Sequence, residues 1–188
     1  MSLNEANRQR LMELAKSSIQ HGLLTGRPIK INLGAYPAEL ATPRATFVTL
    51  RMNNHSAALR GCIGVLEAIR PLAEDIAENA FSAAFKDPRF PPLEAHELDF
   101  LKIHLSILTP AAPVFFSSEQ DLLSQLQPGI DGLILRDDRR HGTFLPSVWE
   151  SLPEPEQFLL NLKQKAGLPP DYWSPNIQIY RYQVEAIE

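Results

Sequence analysis

The chain has 188 residues, 44% apolar and 21% charged, with a formal net charge of -4 and a sequence pI of about 5.8. A globular chain of this length buries roughly 70% of its unfolded surface without disulfide or metal staples, and the composition excludes collagenous and disordered classes. The negative balance leaves no excess of basic charge for a long stretch of phosphates, which argues against a dedicated nucleic-acid binder and leaves room only for a local patch.

The first predicted element is a helix. Ser2 with Glu5 forms a capping box, Leu11, Leu14, Ala15 and Ile19 recur on one face, and Gly22 is expected at its end. Residues 26–43 read as irregular, with turn residues at Pro28, Gly34 and Pro37. Ala45 to Met52 reads as a strand, Asn53, Asn54 and Ser56 supply turn chemistry, and a second strand is expected from Ala57 through Cys62. A connection this short pairs its strands antiparallel. Pro71 suits a helix start, Glu74 and Asp75 favour the positive end of its dipole, and Asp87 and Pro88 stop it. Between 101 and 108, Leu101, Ile103, Leu105 and Ile107 alternate with Lys102, His104 and Ser106, as in a half-buried strand. A short helix capped by Ser117 or Ser118 follows. Next come two strand-like stretches, Gly132 to Arg136 and Thr143 to Leu145, around a charged run expected to be a solvated hairpin tip. A helix from Glu156 to Ala166 stops at Gly167, and a final strand runs from Ile177 to Val184. Strands joined by short loops, mixed with helices, predict an α+β fold with a mostly antiparallel sheet rather than a doubly wound parallel one.

The single cysteine, Cys62, cannot form an intramolecular disulfide and fits a reducing compartment. The longest apolar run, Ala111 to Phe116, is far short of a membrane span. The amino terminus mixes Glu5 with Arg8 and Arg10 and lacks a signal-peptide core, so a cytoplasmic protein is expected. Dinucleotide, P-loop, nucleophile-elbow and HExxH patterns do not occur. The five histidines form no close pair, and neither a metal site nor a cofactor is implied.

Two segments carry candidate chemistry. In Arg60-Gly61-Cys62-Ile63-Gly64 the only thiol sits between glycines at the end of a predicted strand, where a ligand or another backbone can approach closely. Cys62 is either a reactive or ligand-contacting thiol, favoured as thiolate by Arg60 if the guanidinium lies near, or a small buried residue at a bulge. In Asp87-Pro88-Arg89-Phe90 the charged pair either presents an anion-binding guanidinium or fixes a loop with an aromatic anchor. His104 and Ser106 share a strand face, but side chains two apart run parallel and no orienting acid is identifiable, so a solvated sheet face is expected. Trp149, Tyr172 and Trp173 are expected to pack at element edges.

Leu59-Arg60-Gly61-Cys62-Ile63-Gly64 resembles the signature hexapeptide of the AMMECR-type domain family, whose prokaryotic members are known as protein A of AmmeMemoRadiSam systems. Further matches follow in order: Ala83 to Phe90, Glu97-Leu98 with the Ile103 to Thr109 strand, Gly132 to Ile134, Thr143 to Val148, and Lys165 to Pro169. The resemblance covers residues 5–188 as a single domain. It implies a two-lobed α+β fold, a larger lobe with an antiparallel sheet and helices beside a smaller one, with the hexapeptide facing a cleft. It points to Arg60, Gly61, Cys62, Gly64, Asp87, Arg89 and Phe90 as cleft residues, with Cys62 and Asp87 as the catalytic candidates and the others binding substrate. His104 departs from the family, where an acidic residue is frequent. The family is associated with a Memo-type, dioxygenase-like protein and a radical SAM enzyme, which implies a shared pathway or complex but no mechanism. Three readings follow: an enzyme or enzyme component with a small-molecule or anion cleft around Cys62, a non-catalytic adaptor for such partners, and an RNA-associated protein, which the net charge disfavours.

Overall fold

In chain order the elements are α1 (Glu5–Thr25), α2 (Ala38–Ala41), β1 (Thr46–Met52), β2 (Leu59–Gly64), α3 (Leu72–Phe85), β3 (Leu101–Leu108), β4 (Ala112–Val114), α4 (Glu119–Gln125), β5 (Gly132–Asp137), β6 (Arg140–Phe144), α5 (Pro155–Lys165), β7 (Gln178–Tyr182) and β8 (Val184–Ile187), with 3-10 turns at Leu33–Ala35, Ala95–Phe100 and Pro146–Glu150. The computed structural model describes residues 2–53 and 57–188, so the turn expected of Asn54 and Ser56 lies outside the described residues. The chain forms two compact units: Thr109–Val184 is one, and the chain up to Leu108 together with Glu185–Glu188 is the other. The α+β expectation holds, and the second unit carries a four-stranded sheet of its own.

The first unit is a sheet of order β2-β1-β3-β8, with β1 antiparallel to both β2 and β3. Val48 and Leu50 of β1 and Leu105 and Ile107 of β3 face the core with Leu11, Ile19, Ile76 and Ala80 of α1 and α3. The alternation read in the sequence puts these residues on one side. Asp75, expected as a helix-dipole charge, is fully buried and also ties α3 to β1. Its carboxylate accepts from Thr46 Oγ1 at 2.6 Å, from Asn79 Nδ2 at 2.9 Å and from Arg70 at 2.8 and 3.0 Å. Four donors satisfy a charge that would otherwise be costly to desolvate.

Gly22 does not end the first helix. It lies inside α1, where a Cβ would meet the rings of Phe85 and Phe81, so its role is to let α1 and α3 touch. The helix ends at Gly26, which takes the left-handed conformation (φ 70°) and donates its amide to Gly22 O at 2.8 Å. Asn4 rather than Ser2 caps the start, while Ser2 donates to Glu185 at 2.9 Å.

The second unit has sheet order β4-β7-β5-β6, with all three neighbouring pairs antiparallel. Pro113 is tolerated because β4 is an edge strand. Trp149 is buried in this core rather than at its edge, stacked 3.7 Å from the Phe158 ring of α5 and donating Nε1 to Asp131 O at 2.7 Å. The final strand divides at Gln183: β7 belongs to the second sheet and β8 to the first. No helix among the described residues is long and apolar enough to cross a membrane.

Candidate functional site

The hexapeptide forms β2, an edge strand of the first sheet. Its register slips once against β1: Leu50 faces Gly61 and Arg51 faces Leu59, which leaves Arg60 as the bulged residue. Gly61 then lies opposite the core residue Leu50, beneath α3. A Cβ at Gly61 would run into the carbonyl oxygen of Ala83, so glycine is required by the approach of the helix backbone. The space before Gly64 is likewise filled, by the Phe47 ring and the Thr46 carbonyl. What comes close to both glycines here is the protein itself.

Cys62 lies opposite Thr49, on the sheet face turned away from Leu50. The residue is partly exposed, and Sγ lies 3.2 Å from Thr49 Oγ1. Its backbone is held from the open edge of the sheet. The Cys62 amide donates to Asp87 Oδ2 at 2.8 Å, and the Cys62 carbonyl accepts from Arg89 Nη2 at 3.2 Å. The segment after α3 thus covers the edge of β2 with a carboxylate and a guanidinium, which meets the backbone pairing an edge strand lacks.

Asp87 and Arg89 work as one unit. The buried Asp87 carboxylate accepts from Arg89 Nε at 2.9 Å, from Nη2 at 2.6 Å and from the Arg89 amide at 3.1 Å. The bonded guanidinium, with the Cys62 and Arg89 amides adding to it, holds the Asp87 carboxyl far below the usual carboxylate range despite its desolvation. The same carboxylate raises Arg89, and the nearby Cys62 sulfur contributes in the same direction. The Arg89 side chain remains 54% exposed, and its Nη1 takes no partner among the described residues.

Arg60 is placed differently. Its guanidinium is buried and bidentate to Glu97, with Nε at 2.6 Å and Nη2 at 2.9 Å, while Nη1 is sealed from solvent without a partner among the described residues. This bond lowers Glu97 and raises Arg60. Phe90 lies between the two cations, its ring centroid 6.0 Å from Arg60 Cζ and 5.5 Å from Arg89 Cζ. The geometry therefore gathers Cys62, Asp87 and Arg89 tightly, sets Phe90 beside them, and turns Arg60 toward Glu97. Glu97 enters the sequence reading only as part of the family resemblance and Thr49 only as part of a strand; neither reads as a site residue, because neither neighbours its partner along the chain. His104 does meet an acid, contrary to the sequence reading: its Nδ1 lies 3.1 Å from Glu188 Oε1. His104 faces Thr49 across β1–β3 while Ser106 faces Phe47, so the two strand residues do not pair. Among the described residues no three of His, Cys, Asp and Glu converge as metal ligands.

A family model described as AMMECR1 matches residues 12–187. A protein of Methanothermobacter thermautotrophicus is 36% identical over 93% of this chain and 90% of its own. Protein MK0488 of Methanopyrus kandleri is 38% identical over 95% of this chain and 86% of its own. The crystal structure of the uncharacterized protein PH0010 from Pyrococcus horikoshii superposes with a TM-score of 0.88, at 34% identity, covering 99% of this chain and 93% of that one.

Proposed function

Given that the chain belongs to the AMMECR1 family, we propose that it is a cytosolic component of a pathway or complex with a Memo-type protein and a radical SAM enzyme, and that it binds a small anionic molecule against Cys62 and Arg89. One observation carries the anion reading: a guanidinium 54% exposed, held along its Nε–Nη2 edge by a buried carboxylate and bonded to the Cys62 carbonyl, is presented beside the partly exposed Cys62. A guanidinium held in this way has already lost its side-chain freedom, so an arriving carboxylate or phosphate meets a prepared partner. Asp87 serves as the positioning group for Arg89 and for the Cys62 peptide. Arg60 supports the strand through Glu97 rather than meeting the ligand.

Alkylation of the thiol tests this. Iodoacetate and iodoacetamide both form an S–C bond to Cys62 with loss of iodide, and only iodoacetate is an anion. With one exposed cation near the sulfur, the iodoacetate to iodoacetamide rate ratio should fall about fivefold in Arg89→Ala. Arg89→Lys should keep part of the preference. An unchanged ratio would remove Arg89 from the site. Co-purification with a Memo-type or radical SAM protein, repeated with Cys62→Ser, separates the partnership from the chemistry: a partner retained by that variant docks independently of the thiol.

A further inference from the structure

A hollow lies in the first unit at β3, two strands from the Cys62 edge of the sheet. It is a cavity of about 510 Å³ between α1, the 3-10 turn before β3, and the start of β3. Met12, Leu98, Leu101 and Ile103 line it, and all four belong to the apolar core yet remain only half-buried. Its rim is polar, with Lys16 and Lys102 on one hand and Asp99 on the other. Neither lysine makes an ion pair among the described residues. Lys16 and Lys102 are matched by Asp99 and Glu188, so the lining is balanced with Glu188 in place and turns positive when that side chain swings out. His104 and Glu188 complete the wall, and there the Glu188 carboxylate, on a side chain 74% exposed, sits 3.1 Å from His104 Nδ1. The polar end of the cavity thus already holds a carboxylate, supplied by the chain itself on a side chain free to leave.

We propose that this cavity binds a monocarboxylate with an apolar body, such as a medium-chain fatty acid, its tail against Met12, Leu98, Leu101 and Ile103 and its carboxylate among Lys16, Lys102 and His104 in place of Glu188. Three features select this class. The volume lies within the roughly 300–1,000 Å³ usual for small-molecule sites. Covering half-buried apolar side chains removes them from water, which favours an apolar tail. The lysine charge left unmet once Glu188 swings out, and an imidazole that already has a carboxylate partner, favour an anionic head. None of these residues contacts Cys62, so the site stands or falls apart from the one above.

Octanoate is the probe, titrated into the full chain carrying ¹³C-labelled methionine methyls, since the Met12 methyl reports from the cavity wall. A saturable shift of the Met12 signal is expected. Charge reversal of both lysines (Lys16→Glu with Lys102→Glu) should weaken octanoate about tenfold and leave 1-octanol unaffected. Glu188→Gln, which removes the competing carboxylate, should tighten octanoate several-fold. The proposal is overturned if the Met12 signal does not saturate. It is equally overturned if 1-octanol binds as tightly as octanoate, if charge reversal leaves octanoate binding unchanged, or if Glu188→Gln fails to strengthen it. All three positions are exposed, so the variants fold and every arm can be read.

Discussion

Replacing Asp87 by alanine tests whether one carboxylate holds the edge of β2. The substitution removes the acceptor of the Cys62 amide and of the Arg89 amide, and it frees the Arg89 guanidinium. A backbone N–H left without its partner costs about 1–3 kcal/mol, and a second lost bond adds about 1. The guanidinium adds little, because a side chain 54% exposed regains water. Asp87→Ala should therefore destabilise by about 2–4 kcal/mol. Arg89→Ala should cost about 1–2 kcal/mol, since trimming the arginine lets water reach the carboxylate. Once the carboxylate is gone the arginine has only the Cys62 carbonyl to bond, so the double variant should cost no more than Asp87→Ala alone. Urea unfolding followed by far-UV circular dichroism measures this, because the two longest helices, α1 and α3, lie in the same unit as Asp87. Additive costs in the double variant, or an Asp87→Ala cost below about 1 kcal/mol, would refute the clamp.

Three further outcomes follow from the same geometry. Asp87 and Glu97 are both held below their ordinary values of 3.8 and 4.5, so they stabilise the fold above those values, and that stability drains away as pH falls from 4.5 through 3.8 and below; Asp87→Asn and Glu97→Gln should each flatten the acid limb of a stability–pH curve. Tyr182, pushed up to about 12 chiefly by burial, stays neutral in the fold while the unfolded chain ionises from pH 10. Stability should accordingly fall between pH 10 and 12, and a near-ultraviolet titration of the four tyrosines should show one lagging behind the rest. Gly61→Ala should destabilise by about 3 kcal/mol or prevent folding, because its methyl group collides with the backbone of α3 and not with a movable side chain; normal unfolding midpoints for this variant would show that the helix can retreat.

The hydrophobic periodicity of the chain was sufficient to locate most elements, because side-chain alternation and helical spacing are local properties. The alternation from Leu101 to Ile107 gave β3, Ser118 capped α4, and Gly167, at φ 77°, stopped α5. Local signals could not decide what each glycine makes room for. Gly22 reads like a helix stop, and only the Phe81 and Phe85 rings of α3 show it to be an interior contact. The same limit applies to the final strand, where an even apolar pattern carries no information about which of two sheets each half joins. At the candidate site the residue types Cys62, Asp87 and Arg89 were legible from their setting among glycines and proline. Their wiring was not: the carboxylate meets a backbone amide from a strand, Arg60 turns to Glu97, and His104 finds its acid at Glu188. Hydrogen bonds between residues distant in the chain depend on register and on how α3 approaches β2. Those are set by the summed packing of the core and by no single stretch of sequence.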